Sequence, residues 1–184
     1  MAHKGVLVLV VGPSGAGKDT LIGAAKAALA DDRRFVFPRR VVTRQAVTEL
    51  EDHDSVNEED FEREAAAGAF ALSWSAHGLR YGLPRSIATD VEAGRVVVCN
   101  GSRAMVAEAR RSIPQTRVVL VEAAPEVRAQ RLGARGRESA GEIAARLGRE
   151  VAQPMADAIR VDNSGPLAAG VASFLAALAA LAEN

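Results

Sequence analysis

The clearest chemistry in this 184-residue chain lies in Gly12-Pro13-Ser14-Gly15-Ala16-Gly17-Lys18. These residues fit G-x-x-x-x-G-K, directly after an aliphatic run and directly before a helical pattern. The glycines let backbone N–H groups turn towards phosphate oxygens, and the helix N-terminus adds partial positive charge. The predicted ligand is ATP or GTP. Lys18 is expected to reach its β- and γ-phosphates and to face solvent until nucleotide binds. One departure stands out: Asp19 occupies the place where this loop normally carries Ser or Thr as a Mg²⁺ ligand, and Thr20 comes one place late. A carboxylate suits a hard cation, directly or through water. It also suits the positive end of a helix with no cation involved. Both readings stay open.

Two further groups of polar residues fall where ligands bind in α/β proteins. Asn100-Gly101-Ser102-Arg103 follows an apolar run ending at Cys99, and in open α/β sheets ligands sit beyond the carboxyl ends of strands. Asn100 and Ser102 can bond sugar hydroxyls and Arg103 a phosphate; the plainer alternative makes Ser102 an N-cap and Arg103 a solvated charge. Arg131, Arg135 and Arg137 cluster near a helix end, with Arg146 and Arg149 after them. Arg135, Arg137 and Arg146 are candidates to close on a phosphoryl group in transfer. The alternative is a solvated face with Glu138, Glu142 and Glu150 as partners, and Arg149 is assigned to it.

The elements that must hold these residues alternate. Residues 6–11, 96–99, 117–121 and 159–161 read as short buried strands, with 41–42 and 70–76 as further strands. Helical patterns cover about 19–29, 102–111, 125–134, 139–151 and the Ala-rich 167–181. Asn57 is an N-cap for a helix that Gly68 stops. Residues 44–55 are expected to be loop, and Pro84 to open a helix closing at Gly94. The class is α/β, a three-layer sandwich around a parallel sheet.

Composition narrows the function classes. Hydrophobic residues make up 48%, enough for one domain with a core. Positive and negative side chains balance at 23 each, which speaks against nucleic acid or a membrane surface as partner. The single cysteine, Cys99, excludes an intrachain disulfide and is expected to be a small buried hydrophobe. A cytoplasmic location is the expectation, and no oligomeric state is read from the sequence.

Taken together, the loop, Val42-Thr43-Arg44, the segment from Asn57 to Phe61, Tyr81-Gly82 and the run from Arg131 to Glu138 resemble the guanylate kinase family. The resemblance implies a P-loop nucleoside monophosphate kinase fold. Its core would be 1–34 and 95–184, its acceptor subdomain about 35–94 and its lid about 131–149. The guanine-reading residues of that family are absent. Leu72 stands for a base-binding glutamate, Leu83 for a threonine, Val47 for a second arginine and His53 for a phosphate-binding tyrosine. A site that hydrogen-bonds a base discriminates strongly, so these losses argue against GMP.

The loop ending in Lys18-Asp19, Thr43-Arg44, the stretch 71–82, Asn100-Gly101-Ser102-Arg103 and Arg135-Gly136-Arg137-Glu138 are instead similar to the ribose 1,5-bisphosphate phosphokinases of phosphonate degradation. That resemblance implies ATP as co-substrate, Mg²⁺, and a small phosphorylated sugar as acceptor. Arg44 and Tyr81 remain from a phosphate-binding set, and Ser73 falls in the acceptor stretch. An acceptor phosphate is already ionised, so His53 and His77 are at most binders. Trp74 is expected to pack. In the related kinases the edge at Asp162-Asn163 touches adenine, with Arg131 nearby; here a simple turn reads equally well. A non-catalytic binding module is disfavoured by the intact loop. A nucleotide switch is disfavoured because no aspartate closes the strand after Cys99: Asn100 does.

Overall fold

The computed structural model describes residues 5–43, 53–76, 78–134 and 155–183. Five parallel strands form the main sheet in the order β2-β7-β1-β8-β9: β1 (Val6–Val11), β2 (Phe35–Val36), β7 (Val96–Asn100), β8 (Thr116–Glu122) and β9 (Ile159–Asp162). All six residues of β1 are buried. Its two faces feed different cores, because strand side chains alternate. Val6, Val8 and Val10 pack with Leu21, Phe174 and Leu178, on the side of α1 (Lys18–Ala28) and α6 (Leu167–Ala182). Leu7, Leu9 and Val11 pack with Ile87, Val91, Met105 and Val106. That second side holds α3 (Ser86–Glu92), the 3₁₀ turn Arg103–Met105 and α4 (Val106–Ser112). The continuous aliphatic runs therefore do signal doubly covered strands.

A second sheet, ordered β4-β3-β6-β5, lies on the same side as the second core: β3 (Arg40–Val42), β4 (His53–Ser55), β5 (Phe70–Ala76) and β6 (Leu79–Pro84). From Leu72 on, β5 and β6 pair antiparallel, Leu72 opposite Leu83, Ser73 opposite Gly82 and Trp74 opposite Tyr81. Leu72, Leu83, Trp74 and Tyr81 therefore share one face, and Leu72 and Leu83 enter the second core. The opposite face carries Arg80, whose guanidinium lies over the Phe61 ring of α2 (Glu58–Ala66) and pairs with Glu62. Asn57 caps α2, its Oδ1 accepting from the Asp60 amide at 2.7 Å.

Three expectations need correction. Residues 53–55 form a strand, paired in parallel with β3, where a loop was expected. Pro84 closes β6 instead of opening a helix, and α3 begins at Ser86. The ladder explains it: β3 bonds β6 only at Tyr81 and Gly82, so Pro84 lies past that pairing and its missing N–H costs nothing there. Finally, Phe35–Val36 pairs with β7 and belongs to the main sheet, so the second-sheet insertion starts later than residue 35.

Candidate nucleotide and acceptor site

The loop begins where β1 ends. Gly12 has φ 147°, and a Cβ there would lie 2.0 Å from the Val121 carbonyl oxygen on β8. Gly17, at φ 92°, is the residue from which α1 starts, and a Cβ would meet the Asn163 amide at 2.5 Å. Only glycine fits both positions, which ties the motif to its place between strand and helix. Lys18 is half-buried. Its ammonium donates to the Gly12 and Pro13 carbonyls at 2.7 and 3.1 Å, so it folds over the loop and does not face solvent as expected.

The loop is held from behind by residues remote in sequence. Asn163, 2% exposed, donates from Nδ2 to the Ala16 carbonyl at 2.8 Å, and its own amide donates to Glu122 O at 2.8 Å. Arg131, at the end of α5 (Pro125–Ala134), donates to Asn163 O at 2.8 Å and makes longer contacts with Gly15 O and Ala16 O at 3.5 and 3.4 Å. Gly170 of α6 admits this arrangement, since a Cβ there would fall 2.2 Å from Asn163 Oδ1. The turn after β9 is locked in turn. Asp162 Oδ1 accepts from the Ser164 amide and hydroxyl, and Ser164 Oγ accepts from Ala124 N at 2.9 Å. These two Ser164 hydrogen bonds hold the Asp162 carboxyl below the usual carboxylate range. The Asp162-Asn163 edge is thus both a turn and a brace for the loop. Next to it, Gly17, Thr20, Arg131, Ala134, Asn163 and Leu167 line a cavity of about 300 Å³. Leu167, 49% exposed, carried no sequence signal for a site; only the fold brings it there.

At the carboxyl end of β7, Asn100 donates from Nδ2 to Asp19 Oδ1, joining residues 81 positions apart. Read from local patterns alone, these two residues have separate roles. Beyond them, Ser102 caps the 3₁₀ turn, accepting from Ala104 N at 3.3 Å, and Arg103 opens that turn. The N-cap alternative for Ser102 is therefore realised.

On the second sheet the predicted acceptor residues divide. Tyr81 stacks on Trp74 with ring centroids 5.2 Å apart, and the Arg40 guanidinium lies 5.5 Å from the Tyr81 centroid. His53 is opposite Arg40 in the ladder and shares its face. Ser73 points to the other face, with Ser75 and Arg80, so alternation separates it from Tyr81. Arg40 was missed by sequence reasoning, because only the β3–β6 pairing places it beside Tyr81. Leu72 and Leu83, 4% and 1% exposed, are buried in the second core. Cys99 is buried and its thiol is pushed far above its usual pKa by burial, so it is no nucleophile. Arg44, Arg135, Arg137, Arg146 and His77 lie outside the described residues.

No protein-family model matches the chain. The ribose 1,5-bisphosphate phosphokinase PhnN of Brucella melitensis is 51% identical to it over 94% of this chain and 91% of the relative. That of Acidiphilium cryptum is 53% identical over 97% of this chain and 94% of the relative. The guanylate kinase of Anaplasma phagocytophilum superposes with a TM-score of 0.72 over 99% of this chain and 88% of its own. At 15% sequence identity that likeness concerns the fold alone. Across nearly the whole length of its relatives, then, this chain belongs to the ribose 1,5-bisphosphate phosphokinase family.

Proposed function

We propose that the protein transfers the γ-phosphoryl group of ATP to the 1-phosphate of ribose 1,5-bisphosphate, giving 5-phosphoribosyl 1-diphosphate and ADP. An oxygen of the 1-phosphate attacks the γ-phosphorus in line, and the bond from that phosphorus to the oxygen bridging to the β-phosphate breaks. No side chain has to take a proton, because the attacking phosphate is already ionised. Catalysis is then placement and charge neutralisation.

The loop from Gly12 to Lys18 would cradle the β- and γ-phosphates, with Lys18 exchanging loop carbonyls for phosphate oxygens. The cavity beside Thr20, Arg131 and Leu167 has the position and apolar wall for adenine. Asp19 offers an exposed carboxylate beside the loop, a donor that fits Mg²⁺. Mg²⁺, when bound, supplies positive charge between the phosphates. Arg135, Arg137 and Arg146 are assigned to the same neutralisation from the lid. On the acceptor side, Arg44, Arg40 and Tyr81 would hold the non-reacting 5-phosphate. Asn100, Ser102 and Arg103 would border the sugar. We divide the chain into a core that keeps β2, an acceptor subdomain built on the second sheet, and a lid assigned to about 131–149. Among the described residues no helix is long and apolar enough to cross a membrane, and we place the reaction in the cytoplasm.

The observation that carries this reading is the pair Leu72 and Leu83. The positions that would read guanine are apolar and committed to the core. A guanine edge would find no partner there, whereas a sugar phosphate requires none. The test supplies ATP with ribose 1,5-bisphosphate and, in parallel, with GMP, and follows ADP. Turnover of the sugar bisphosphate with little of GMP is expected; efficient GMP turnover alone would reassign the protein as a guanylate kinase.

A further inference from the structure

Loops of this type usually hold their cation with two residues: a Ser or Thr hydroxyl directly after the loop lysine, and an aspartate at the end of a neighbouring strand. Here both positions are occupied, but the chemical types are interchanged. Asp19 follows Lys18. Asn100 ends β7, the strand beside β1 in the main sheet. The two side chains meet, Asn100 Nδ2 donating to Asp19 Oδ1.

We propose that the divalent cation accompanying the nucleotide is held by this exchanged pair, with the carboxylate on the loop helix at Asp19 and its neutral positioning partner at the strand end, Asn100. The proposal rests on the kinase reading above. The combined charge of the pair is one negative, as in the usual arrangement, so the electrostatic balance against Mg²⁺ and phosphate is kept. Asp19 forms no ion pair among the described residues. Its carboxylate is drawn across to β7 instead. Asn100 can use only its N–H donors on a carboxylate, so Asp19 Oδ1 is fixed and Oδ2 is left to face a cation or its water. Asn100 acts through Asp19 and is a positioning residue, not a catalytic one.

The exchange makes an unusual demand: moving both groups back should work better than moving one. Binding of Mn²⁺ to the intact protein carrying a non-hydrolysable ATP analogue, read by electron paramagnetic resonance, tests this without turnover. Binding of ADP in the presence of a chelator serves as the folding control. Asp19→Ser should weaken Mn²⁺ binding more than tenfold, and Asn100→Ala by about tenfold, the lower end of the range for groups that orient a metal ligand. Adding Asn100→Asp to Asp19→Ser should recover at least about threefold of the loss, because the carboxylate returns to the site from the strand end. Chelated ADP should bind all variants about as wild type. Mn²⁺ affinity that ignores Asp19→Ser, or a double variant no better than that single one, overturns the proposal while the kinase reading survives. Wild-type protein that fails to hold the ATP analogue at all overturns both.

Discussion

On the nucleotide side, almost every group that matters is tied to main chain. Lys18, Arg131 and Asn163 each donate to carbonyls of the loop or of its brace, and Gly12 and Gly17 owe their identity to backbone geometry. In the proposed acceptor region, side chains alternate across one hairpin: Leu72, Trp74, Tyr81 and Leu83 on one face, Ser73 and Arg80 on the other. A backbone cradle serves any nucleotide and tolerates little change. A hairpin face can be rewritten two residues at a time without disturbing the ladder beneath it. One scaffold can therefore keep its phosphoryl donor while changing its acceptor.

The sharpest way to break this contrast is at Lys18. Removing its ammonium in Lys18→Ala should lower turnover about 10²- to 10³-fold, the scale for losing one preorganised charge-stabilising donor. The thermal transition should barely move, since the Gly12 and Pro13 carbonyls that the ammonium reaches belong to its own loop. Steady-state kinetics beside a thermal melt checks both halves; wild-type turnover would contradict the role of the cradle.

Next in size comes the hairpin. If Leu72 has become core, restoring a carboxylate there should not restore guanine recognition. Leu72→Glu should destabilise the fold by about 3 kcal/mol or more, by burying an unpaired charge, and should leave GMP a poor substrate. Denaturant unfolding and a GMP assay read the two outcomes. A stable variant that turns over GMP would show that the acceptor face is open where the structure closes it.

The smallest effect expected belongs to Arg40. Arg40→Ala should raise KM for the sugar bisphosphate about tenfold, the equivalent of roughly 1.4 kcal/mol. KM for ATP should stay near its wild-type value. Equal changes in both constants would place Arg40 in general stability and not in acceptor binding.

The same contrast governs what could be read from residues alone. The loop, its strand and its helix were legible because glycine spacing and a lone lysine carry a backbone requirement. The buried strands of the main sheet were legible because double burial leaves continuous apolar runs. Strand β6 was not. Its Gly82 and Pro84 look like punctuation in a linear reading. Gly82 in fact makes room for the Phe70 ring, 2.6 Å from where its Cβ would be, and Pro84 sits past the β3 pairing. Arg40 and Leu167 were invisible for a related reason: each joins its site only through partners distant in sequence. The meeting of Asp19 with Asn100 belongs to the same group, since local patterns name each residue but say nothing of their contact.

The stack of Trp74 on Tyr81 has a consequence of another kind. The chain contains one tryptophan, and it lies on the acceptor hairpin, half-buried against the second core. The molecule therefore carries a built-in optical label on one side only. Its ultraviolet emission is a local signal of how the hairpin is packed, and the loop from Gly12 to Lys18 contributes no indole of its own.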